Sequence, residues 1–346
     1  MWQDILGHDA VLERFRQSLA HNRLASSYLF LGPAGIGKRT FALQLAKSLL
    51  CQDLNTDSLS ACDVCESCRL FTANNHPDLD FVGLPAGKTK LPVDLFIGDR
   101  AHRNQEGLCH SISLRPLLGQ RRVAIIDDAD FLTTESSNCL LKTLEEPPPG
   151  ALLILIGTSR SRQLPTILSR TQVIRFQPLA TNHLQELLIR LELAEDAIEA
   201  EKLTKISEGS LQRATELANS QFWEMQQQVL PLLSQDPFDS HRLVSVLTEF
   251  VNLAGKEASS KRQQLRLILQ LAGSHFRQCM LANCGSQNPY SHSHELHPEI
   301  ALAALDRCLE AEIELDRNAN QATLLECWVD DLADILLNSA SGALTA

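Results

Sequence analysis

Three apolar runs dominate the hydropathy pattern of the first half of the chain: Tyr28–Leu31, Val123–Ile126 and Ala151–Ile156. Short runs without alternation predict strands buried on both faces, as in a parallel sheet. Leu79–Val82 and Val173–Phe176 predict two further strands. Between the strands the period becomes helical. Asp9–Ala20 carries Val11, Leu12, Phe15 and Leu19 on one face, and a helix-forming run extends from Lys38 through Leu50. Val93–Ile112 is mixed and helical in part. Thr134–Glu146 is a helix with Thr133 or Thr134 as N-cap, stopped by Pro147-Pro148-Pro149. Strands alternating with helices predict a three-layer α/β domain with its ligand at the C-terminal strand ends.

From Pro178 onward the pattern is helical only. Thr181–Leu193 begins with a Thr cap and sets Leu184, Leu187, Leu188 and Leu191 on one stripe. Ala194–Ile206 and Leu211–Ala218 complete a small bundle. A larger helical region runs from Phe222 to the end. Leu302, Leu305, Leu309 and Ile313 mark the first of its last two long helices, and the second follows Asn318. The expected domains are therefore 1–177, 178–221 and 222–346.

The chemistry gathers after the first strand. Gly32-Pro33-Ala34-Gly35-Ile36-Gly37-Lys38 separates a buried strand from a helix, the arrangement of a phosphate-binding P-loop. Its amides can face one concavity, the helix N-terminus adds partial positive charge, and Lys38 would reach the outer phosphates. The next position normally supplies a hydroxyl to Mg²⁺ and here is Arg39, with Thr40 one place late. A helix turns about 100° per residue, so Thr40 faces elsewhere. Val123–Ile126 delivers Asp127 at its end, as a Walker B strand does, placing it near Mg²⁺. Asp128 follows where a glutamate orients the attacking water. It is one methylene shorter, and a displacement of about 1 Å can cost roughly a hundredfold in rate. Thr158, after the strand Ala151–Ile156, places a hydroxyl near the γ-phosphate position. ATP with Mg²⁺ is thus a possible ligand of a weakened site.

Cys51, Cys62, Cys65 and Cys68 have the spacing of a closed tetrahedral Cys₄ zinc site, structural rather than catalytic. Unpaired thiols are the alternative. The six other cysteines read most simply as small, mostly buried hydrophobes. Arg100, Arg103, Arg115, Arg121 and Arg122 form either a basic rim or a solvated surface, the latter being the commoner case. His292, His294 and His297, in the polar stretch Gly285–His297, could bind a metal, but a solvated loop is the commoner case. A net charge of -11 argues against a broad nucleic-acid-binding face. The chain lacks a long apolar run and a signal-peptide pattern, so a cytoplasmic protein with no membrane contact is expected.

Several of these segments together carry a family resemblance. They are Asp4–His8 (DILGH), the P-loop, the cysteine knuckle after the P-loop helix, the Walker B strand, Leu140–Pro148 (LLKTLEEPP) and Leu164–Arg170 (LPTILSR). The sequence resembles bacterial replicative clamp-loader subunits of the AAA+ class, strongly over the first 180 residues and more loosely beyond. The resemblance implies an AAA+ domain with a zinc knuckle, a helical lid and an all-α collar. It also implies work within the DNA polymerase III holoenzyme, a nucleotidyltransferase complex. Partners would be gamma/tau and delta subunits in a hetero-pentamer, the sliding clamp, and primed DNA through the assembly. Family members of this layout are either ATP-hydrolysing motors of the gamma/tau type or stators of the delta-prime type with an impaired ATP site. In the family, the arginine of a Ser-Arg-Cys motif serves the neighbouring subunit's ATP. Arg170 matches it, with Thr171 in place of the cysteine. Arg39, Asp128 and Gln212, the last standing where the motor type has a nucleotide-sensing arginine, favour the stator, as does the lack of a tau-type extension. Intrinsic ATPase activity is then weak or absent. The alternatives are a motor subunit and a stand-alone P-loop ATPase of DNA repair.

Overall fold

Alternate residues of the central strands enter two separate cores. The computed structural model describes every residue except Met1, Ala86, Asn219, Asp236, Lys256, 283–295, Asn318 and 343–346. Five strands, β1 (Ser27–Leu31), β2 (Leu79–Val82), β3 (Arg122–Ile126), β4 (Ala151–Gly157) and β5 (Gln172–Arg175), form one parallel sheet in the order β2-β3-β4-β1-β5. Tyr28 and Phe30 of β1, with Val123, Ile125, Leu152, Ile154 and Ile156, enter the core beneath α1 (Asp9–Ala20) and α2 (Lys38–Leu50). Leu29, Leu31, Ala124, Ile126, Leu153 and Leu155 enter the opposite core. Burial on both faces accounts for the continuous apolar runs.

Six short or medium helices follow in order around the sheet: α3 (Glu66–Thr72), α4 (Asp94–Ile97), α5 (Leu108–Ser113), α6 (Thr134–Glu145), α7 (Pro165–Leu168) and α8 (Thr181–Arg190). Next come α9 (Ala197–Ser207) and α10 (Leu211–Leu217). Residues Met1–Glu216 form one compact unit and Leu217–Ala346 a second. In the second unit, α11 (Ser220–Leu233), α12 (Ser240–Leu253), α13 (Ala258–Ala282), α14 (Pro298–Asp316) and α15 (Gln321–Gly342) pack on one another. Trp328, Phe276, Leu265, Ile268 and Leu332 are fully buried there. None of the described helices is long and apolar enough to cross a membrane.

Four sequence expectations change. Arg122 is neither rim nor solvated surface but buried at the start of β3. Its guanidinium lies 3.5 Å from Asp78 and 3.4 Å from Asp80 and donates to Ser111 Oγ at 2.6 Å. Asp78 also accepts the amides of Leu117 and Leu118, so both members of the buried pair have hydrogen bonds beyond their mutual contact, as a buried charge requires. Thr181 does not cap α8. The cap is Ala180, without a side-chain hydrogen bond, and Leu191 falls past the helix end, 50% exposed. In α14 the buried face is Ala301, Ala304, Cys308, Ala311 and Leu315, while Leu302, Leu309 and Ile313 are half-exposed. Cys327 is exposed, Cys109 and Cys139 are half-buried, and Cys279 and Cys308 alone are buried among the described members of that set. Cys284, His292 and His294 lie outside the described residues, and His297 is exposed.

Arg122→Met removes the cation and leaves Asp78 buried and unpaired. The expected cost is about 3–5 kcal/mol, read as a lowered midpoint in urea unfolding. An unchanged midpoint would mean that the amides of Leu117 and Leu118 hold the carboxylate unaided.

Candidate functional site

The C-terminal ends of β1, β3 and β4 bring together the Gly32–Gly37 loop, Asp127–Asp130 and Thr158. Gly35 and Gly37 have φ of +72° and +94°, a region that favours glycine. A Cβ at Gly35 would sit 2.4 Å from both Gln212 Cβ and Ser210 Oγ. Helix α10 therefore begins directly against the loop. The amides of Leu211 and Gln212 donate to Gly35 O at 3.0 and 3.3 Å, and Ser210 Oγ donates to Ala34 O at 3.0 Å. On the other side His8, from the DILGH segment, donates from Nε2 to Ile36 O at 2.7 Å, and its ring packs edge-on to Phe176.

Lys38 is 6% exposed, and its Nζ donates back to Gly32 O at 2.6 Å and Pro33 O at 2.5 Å. Arg39 lies outside the loop, with Nη1 3.6 Å from Asp127 Oδ2 and its guanidinium 4.6 Å above the Phe81 ring. A cationic side chain therefore stands beside the carboxylate that the sequence pattern assigns to a metal. Thr40 is exposed. Burial, then the charge of Asp128, pushes the Asp127 carboxyl above its ordinary range against the pull of Arg39 and Lys38. Asp128 has a left-handed backbone, φ +57°, and its carboxylate accepts the Leu84 amide at 3.3 Å. Thr158 is also engaged: its Oγ1 and amide donate to Asp130 at 2.5 and 2.9 Å. Asp130, which the sequence reading did not single out, further accepts from Gln163. The third acid of Asp127-Asp128-Ala129-Asp130 was the available signal. Gln212 donates to Glu216, and the neighbouring Arg213 pairs with Glu208 at 3.1 Å. Arg170 lies on a partly exposed surface beyond α7, forked onto Glu145.

The four cysteines form a second cluster, with all Sγ atoms within 4.8 Å of one another. Cys51–Cys65 and Cys62–Cys68 are 3.9 and 4.0 Å apart. A tetrahedral ion with bonds of about 2.3 Å needs S···S spacings of about 3.8 Å, so this donor set can hold a metal. The amides of Cys62, Cys65 and Cys68 each donate to a sulfur of the set, as suits thiolates. The module is tied to its surroundings. Lys47 of α2 pairs with Asp63, Ser67 Oγ donates to Leu50 O at 2.6 Å, and Arg16 donates to Ser58 O.

A family model described as "DNA polymerase III, delta subunit" matches residues 7–180. Among curated relatives, the DNA polymerase III subunit delta' of Bacillus subtilis is 31% identical over 64% of this chain and 63% of its own length. The subunit delta' of Pseudomonas aeruginosa is 36% identical over 42% of this chain and 41% of its own. The subunit tau of Escherichia coli is 30% identical over 62% of this chain but 32% of its own. The chain thus spans less than two thirds of each of these relatives.

Burial pushes Lys38 down from 10.5 to about 8, against the pull of Asp130, Asp127 and Asp128. Below about pH 8 the lysine is charged in the folded and unfolded chains alike, and the cost of burying that charge is fully present. Between about pH 8 and 10.5 the folded chain releases the proton first, so this group's contribution to stability rises with pH. Urea unfolding should show that rise in the wild type and not in Lys38→Met. Parallel pH curves for the two proteins would refute the assignment. The family model covers half of the chain, and on that match the chain belongs to the DNA polymerase III delta-subunit family.

Proposed function

We propose that the chain is a delta-prime-type subunit of a bacterial replicative clamp loader. It acts as a stator, and as the donor of Arg170 to a neighbouring subunit's ATP, during loading of the sliding clamp on primed DNA. The observation that carries this reading is the Arg39–Asp127 pair. A guanidinium next to Asp127 opposes binding of a divalent cation there, and Mg²⁺ neutralises developing charge in phosphoryl transfer. Two further contacts and one residue identity support a site that turns over little ATP of its own. Lys38 is satisfied by Gly32 O and Pro33 O, Asp128 is held by Leu84, and Gln212 brings no positive charge to the loop. Gly32, Pro33, Gly35, Gly37, Lys38, Arg39, Thr40, Asp127 and Thr158 would then form a vestigial nucleotide pocket. Arg170 needs nothing from that pocket. The proposed partners are gamma/tau and delta subunits. The half-exposed apolar stripe Leu302, Leu309 and Ile313 on α14 supports an assembly role for the second unit as a collar.

The test is ATP turnover by the reconstituted loader with clamp and primed DNA. Arg170→Ala should slow turnover at the site it serves by about 10³–10⁵-fold, the range seen for donated arginines. Lys38→Ala should leave turnover unchanged. If Lys38→Ala carries the loss, the chain is a motor. If neither matters, the clamp-loader role fails.

Zinc is the proposed occupant of Cys51, Cys62, Cys65 and Cys68. Four thiols without an open position suit a structural ion. The purified chain should contain stoichiometric zinc by elemental analysis, and Cys65→Ser should lose it and lower the melting temperature. Metal-free protein that melts like the wild type would rule the role out.

A further inference from the structure

Arg170 is engaged within its own chain. Its Nε donates to Glu145 Oε1 at 2.7 Å, and Nη2 lies 2.6 Å from the same oxygen. Nη1 donates to Thr166 O at 3.2 Å and to Ser169 Oγ at 2.9 Å. A guanidinium has five N–H bonds in a fixed fork, so these contacts use most of what it can offer. Glu145 is the last residue of α6, where the helix end adds partial negative charge. The two side chains are 33% and 51% exposed. An ion pair of this kind is weak and readily displaced. A transferring phosphoryl group carries more negative charge than a carboxylate and would compete for the same N–H groups.

We propose that Glu145 is a positioning residue that holds Arg170 against its own chain until a neighbour's phosphates draw it away. This rests on the reading of Arg170 as a donor in trans. Glu145 has a place in the chain that suits the task. It closes the helix that starts at the Thr133 cap, directly after Asp127–Asp130, so α6 runs from the acidic strand end to the arginine. Serving as a restraint requires a contact that costs little to break, and a half-exposed pair meets that requirement where a buried one would not.

The test uses the reconstituted loader in the absence of clamp and DNA. Glu145→Gln should raise basal ATP turnover by about 2–5-fold, the population shift that a partly exposed pair allows. The rise should fall on kcat with KM for ATP unchanged, because the freed guanidinium acts on the transition state. The double variant Glu145→Gln with Arg170→Ala should behave as Arg170→Ala alone, which a general structural role for Glu145 would not produce. Unchanged or lowered turnover in Glu145→Gln overturns the inference, as does a rise that survives in the double variant. If Arg170→Ala alone leaves turnover intact, the donor reading fails and this inference falls with it.

Discussion

The first unit depends on the pairing of β1 between β4 and β5. Leu29 opposite Leu155 and Val173, and Leu31 opposite Gly157 and Arg175, fix where the three strands end. With side chains alternating between two buried cores, a slip of one residue would exchange the cores and is strongly resisted. That register, with the pairing of β3 on β4, decides that the glycine loop, the acids after β3 and Thr158 emerge at one level. The placement of these groups is a result of apolar packing, and their chemistry is then decided by short-range contacts.

Those contacts point inward. Lys38 returns to the carbonyls of its own loop, Arg39 approaches Asp127, and Asp130 gathers Thr158 and Gln163. The side chains of Lys38, Arg39, Asp128 and Thr158 have each found a partner within the chain. Such closure is what low dielectric demands of buried polar groups. A ligand arriving here would need to replace several interactions at once. The arginine beyond α7 is also held within the chain, but by a half-exposed pair with Glu145 that costs less to break.

The strands, α1, α2 and the loop between β1 and α2 were legible because each is written in a local period. The cysteine cluster was legible because its spacing is itself geometric. Arg122 was not. It adjoins another arginine at a strand start and reads as surface, while its acceptors Asp78 and Asp80 lie far away in sequence and become neighbours only through β2–β3 pairing. Asp130 was hidden because nothing local says which of three acids turns toward β4. The face of α14 was misread because large side chains dominate a hydropathy pattern. The close helix contacts there instead use Ala301, Ala304 and Ala311, which let helices approach.

The join between α10 and the glycine loop has a mechanical consequence. Because Leu211 and Gln212 donate to Gly35 O, and Ser210 to Ala34 O, the loop has no slack on that side. Helix and loop form a wedge rather than a jaw. A push on α10 is delivered to the backbone of the loop that leads into Lys38. A pull on α10 must first break these bonds and uncover the carbonyls of Gly35 and Ala34.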